Sequence, residues 1–71
     1  MEEEITQMDS AVQANRVLQE IAVAGHYRAS SFMDGFVIYS RDIDKRREEV
    51  TIQKISNRKF RVYRRIISTG E

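Results

Sequence analysis

The sequence predicts an α+β fold, with one N-terminal helix packed on a three- or four-stranded antiparallel β-meander. Three observations carry this. Apolar residues between 11 and 22 recur at three- and four-residue spacing, the period of one helix face. Asp34-Gly35 separates two short extended stretches, and Asp-Gly favours the positive φ that tight hairpins need. Residues 48–66 alternate apolar and polar positions about a turn at Ser56-Asn57-Arg58.

The elements follow in chain order. Residues 1–5 read as a frayed acidic tail. Thr6 and Asp9 have the spacing of a capping box, with Asp9 or Ser10 as alternative caps. The helix then runs to about Ala24, and Gly25 is expected to supply the left-handed residue that ends it. Ala11, Ala14, Leu18, Ile21 and Ala22 share its apolar face, while Val12 and Val23 fall off that stripe.

Strands are expected at about 27–33 and 36–41. Pairing Met33 with Phe36 sets Ser31, Met33, Phe36 and Ile38 on one side, and Phe32, Val37 and Tyr39 on the other. Residues 41–47, RDIDKRR, read as a charged connection. Residues 48–55 and 59–67 give the last two strands, and residues 68–71 a polar tail. In that hairpin Val50 and Ile52 fall beside Phe60, Val62 and Ile66. Thr51, Gln53, Arg61, Tyr63 and Arg65 then line the opposite face, and a one-residue slip would invert the two.

A chain of 71 residues is a single small domain with a modest core. It has no Cys and one His, so disulfides and thiolate metal sites are excluded, and neither a metal nor a cofactor is expected. Self-association is the remaining support for so small a fold, which makes a homodimer the expectation. The longest apolar runs, 21–24 and 36–39, are too short to cross a bilayer. With an acidic start that lacks a signal-peptide pattern, the expected location is the cytoplasm.

Little catalytic chemistry is present. His26 sits just past the predicted helix end, where a cation is favoured by the helix dipole, and no nucleophile motif accompanies it. Asp42 and Asp44 begin what looks like a cation loop, but Lys45, Arg46 and Arg47 fill the space where ligands would be needed. The three glycines are scattered, so there is no phosphate loop. These absences lead to the expectation of a non-enzymatic module with no small-molecule substrate.

Charge is unevenly placed. Net charge is +1, yet residues 1–35 hold two arginines against six carboxylates, a net of −4. Residues 36–71 hold ten basic and five acidic residues, a net of +5. Five of the eight residues from Arg58 to Arg65 are basic, interleaved with Phe60, Val62 and Tyr63.

Two binding readings follow. In the first, Arg61, Tyr63 and Arg65 contact nucleic acid through guanidinium–phosphate bonds and ring stacking, with Lys45, Arg46, Arg47, Arg58 and Lys59 extending the surface. In the second, the chain is a small inhibitor or adaptor that binds protein, since Tyr and Arg among apolar residues resemble an interface composition. One form of this uses Glu2 to Glu4, Asp9, Glu20 and Asp34 as mimics of nucleic-acid phosphates, as a viral protein blocking a host DNA-binding factor would.

Overall fold

The structure, a computed structural model, describes residues 2–68. The strands are β1 (Glu2–Met8), β2 (Arg28–Met33), β3 (Phe36–Ile43), β4 (Arg46–Ser56) and β5 (Lys59–Ser68), with one helix, α1 (Ala11–Gly25), between β1 and β2. All pairings are antiparallel, and the five strands lie in the order β1-β5-β4-β3-β2. The expected helix and meander are present, but the sheet has five strands rather than three or four.

The added strand is the expected acidic tail. Glu2 to Met8 pairs with β5, Glu2 opposite Arg65 and Met8 opposite Phe60, with a bulge at Ile5. A run of three glutamates is ordered here because β5 offers both backbone partners and cationic side chains. At the other terminus β5 extends to Ser68, the first residue of the expected polar tail, and residues 69–71 lie outside the described residues.

Ser10, rather than Thr6, caps α1. Its side chain accepts the Gln13 N–H at 3.4 Å. The helix ends differently from the expectation too. Gly25 is the last helical residue, and His26 takes the left-handed conformation at φ 58°. Tyr27 N–H donates to Ala22 O at 2.9 Å and His26 N–H to Val23 O at 3.4 Å, the paired bonds of a Schellman end. Gly25 is small for another reason. A Cβ there would lie 2.5 Å from Tyr27 Cε1 and 2.9 Å from Arg41 Nη1.

The three hairpin turns set the register. Gly35 (φ 83°) closes β2–β3 with Met33 opposite Phe36, the expected pairing. Asp44 and Lys45, both at positive φ, form a two-residue turn between Ile43 and Arg46. RDIDKRR is therefore strand, turn and strand rather than a connection. The β4–β5 turn is Asn57-Arg58, with Ser56 opposite Lys59 and a bulge at Ile55.

Ala14 and Leu18 of α1 pack on Val50, Ile52, Phe60 and Val62, and Leu18, Val50 and Val62 are fully buried. The helix lies chiefly on β4, β5 and β1. Val37 and Tyr39 of β3 reach the edge of this core, and Phe32 of β2 lies beyond it at 66% exposure. The sheet is thus roofed on one half only.

Candidate functional site

The Arg-rich row lies where alternation placed it. Gln53 pairs with Arg61, Thr51 with Tyr63 and Glu49 with Arg65, all on the face away from α1. That face is not a free cationic surface. Arg61 Nη2 donates to Glu2 Oε1 at 2.6 Å, and its Nε donates to Glu4 Oε1 at 2.9 Å. The arm lies over the Tyr63 ring, its guanidinium carbon 4.2 Å from the centroid. Under this cover Tyr63 is 8% exposed and Thr51 2%, so the ring is sealed rather than offered for stacking. The Gln7 amide and then Arg61 hold the Glu4 carboxyl below its ordinary value, and Glu2 followed by Glu4 raises the Arg61 pKa.

The neighbouring cations are similarly occupied. Arg65 pairs with Glu49 at 3.1 Å, Arg64 with Glu3 at 2.8 Å and Arg47 with Glu49 at 3.5 Å. Arg47 also donates to Ser30 Oγ at 2.9 Å. Lys45, Arg46, Arg58 and Lys59 make no ion pair among the described residues. They do not form one patch. Lys45 and Arg46 stand at the start of β4, Arg58 and Lys59 beyond its end. Eleven extended residues separate these ends, roughly 35 Å. Of the acidic residues in the mimicry reading, Glu2, Glu3 and Glu4 are spent on these arginines.

A second cluster, unanticipated from sequence, sits under the helix end. Arg41 Nη1 donates to Gly25 O at 2.6 Å and its Nε to Glu48 Oε1 at 2.7 Å. Its guanidinium lies 4.4 Å from the Tyr27 ring centroid, and Tyr27 Oη donates to Glu48 at 3.4 Å. Arg41 holds the Glu48 carboxyl below its ordinary value against the opposing effect of burial. Burial pushes the Tyr27 phenol up. This cluster ties the C-terminal end of α1 to β3 and β4, a structural role.

The surface that remains open is apolar. Where α1 does not reach, Phe32 (66% exposed) projects from β2 beside Tyr39 on the helix side, and the two rings meet edge to face at 6.3 Å. Met33 (57%), next in the strand and paired with Phe36, belongs to the opposite sheet face. Gln19 of α1 donates to Tyr39 Oη at 2.8 Å and marks the inner border of this surface. Toward the Asp34-Gly35 turn, a cleft of about 300 Å³ opens between the start of α1 and the hairpin. Val37, Ile52 and Phe60 line it from the sheet, with Lys54 beside them. Its apolar lining was legible as separate residues, but the gap depends on where the helix stops covering the sheet.

Among the described residues no group of three His, Cys, Asp or Glu side chains could hold a metal ion. No described helix is long and apolar enough to cross a membrane. No protein-family model, curated protein or solved structure matches the chain.

Proposed function

We propose that the chain is a small non-enzymatic protein-binding module, an inhibitor or adaptor, whose contact surface is the unroofed β2–β3 half of the sheet. The observation that carries this is an edge strand with large apolar residues exposed on both faces, Phe32 on the helix side next to Tyr39 and Met33 at the rim of an apolar cleft. Large apolar side chains grouped at one place on a surface mark interaction sites. The arginine face supports the reading by contrast, since its guanidinium groups already hold carboxylates.

A photo-crosslinking residue placed at Met33 tests it against the same residue at Glu20, on the exposed side of α1. Protein adducts form from position 33, not from position 20, and Phe32→Glu abolishes them. Equal labelling from both positions contradicts the proposal. The homodimer expected from chain size would use the same surface, and solution mass separates a second copy from a different protein.

Nucleic-acid contact is the second reading, favoured by the Arg61–Tyr63–Arg65 row sharing one face. Direct phosphate contact requires affinity that weakens log-linearly with salt. Absence of binding to single-stranded and duplex DNA at low salt removes it.

A further inference from the structure

We infer that the hairpin-end cleft receives an acidic protein segment, with an apolar side chain entering the cleft and a neighbouring carboxylate pairing with Lys54. This rests on the protein-binding reading and names the chemistry of the partner. At about 300 Å³ the cleft is at the lower limit of ligand pockets, a size for one large side chain. Val37 and Ile52 are cross-strand neighbours, and Phe60 stands opposite Lys54, so these four share the helix side of the sheet.

Among the described residues, Lys54 is the only charged one in the cleft wall, and it is exposed. It makes no ion pair among the described residues. Arg58 and Lys59 stand at the same end, in a polar hollow that also holds Asp9, and Asp34 lies in the adjoining turn. Cations outnumber carboxylates at this end, and the cation nearest the apolar wall is uncompensated. A basic segment would meet Lys54 as a like charge, whereas an acidic one gains a pair and is steered toward it.

The test uses the full chain and two blocked ten-residue peptides with a central Leu-Phe pair, flanked by Glu in one and by Lys in the other. Amide shifts are followed by NMR titration against the native chain and Lys54→Glu, a substitution at an exposed position that leaves the core untouched. The acidic peptide moves the amides of residues 33–37, 52–54 and 60, and binds about five-fold tighter than the basic one. Lys54→Glu reverses that order. Equal affinities at the cleft overturn the acidic partner while leaving the protein-binding reading in place. Shifts elsewhere, or none, overturn the cleft itself, and crosslinking from Met33 then judges that reading separately. Shifts of the same amides on concentrating the chain alone make a second copy the occupant and overturn the inference.

Discussion

One sheet carries two differently used halves. Under α1, β4 and β5 place Val50, Ile52, Phe60 and Val62 against Leu18 and Ala14, and the side chains are buried. Across β3 the same helix-side row continues through Val37 to Phe32, but the roof has ended and Phe32 is exposed. Val37 and Phe32 face the same side as Val50 and Ile52, and what changes between them is the cover. An apolar row in a strand therefore reports which way side chains point, and the reach of the helix decides whether they make a core or a contact surface.

Substitutions should separate the halves sharply. Leu18→Ala in the covered half is expected to cost about 3 kcal/mol, read from urea unfolding, because a fully buried side chain leaves a cavity. For a chain this short that is a large share of total stability. Glu48→Gln comes next, at about 2 kcal/mol, by leaving the Arg41 guanidinium without its charged partner at the helix end.

The same carboxylate gives a pH signature. Its folded pKa is depressed, so its contribution is complete above the ordinary glutamate value and is lost as pH falls through the folded one. Unfolding curves for Glu48→Gln should accordingly be flatter than those of the native chain across the acidic range. Gly25→Ala is expected to cost about 1 to 2 kcal/mol, because the new methyl must displace the Tyr27 ring or the Arg41 guanidinium. A drop in Arg41-dependent protection of the last helical turn, by hydrogen exchange, would accompany it.

The division was only partly legible in sequence. The helix stripe, the Asp-Gly turn and the β4–β5 register could be derived because each rests on local chemistry, a period of three and four or a turn residue with its required φ. Strand β1 could not. Glu2-Glu3-Glu4 looks like a solvated charge run, and its partners, Arg61 and Arg64, are distant in sequence. The complementary signs of the two segments were the available signal. The Asp44-Lys45 turn was hidden because non-glycine residues occupy both left-handed positions within a charged run.

For the arginine row, alternation gave the correct side but not the exposure. Tyr63 points away from the helix and is still buried, because Arg61 lies across it toward Glu4 and Glu2. The cleft had no local signal, since its walls come from α1 and four strands that meet only in the fold.

The smallest effect on folding is expected at the surface proposed for contact, and measuring it is the most direct test of the division. Urea unfolding of the double variant Phe32→Ser, Met33→Ser should match the native chain within about 0.5 kcal/mol. Its midpoint should also be independent of protein concentration. A loss above about 2 kcal/mol, the scale of a removed core side chain, would place these residues in packing the fold requires. That outcome, or a midpoint that rises with concentration in the native chain alone, would contradict a surface held open for another protein.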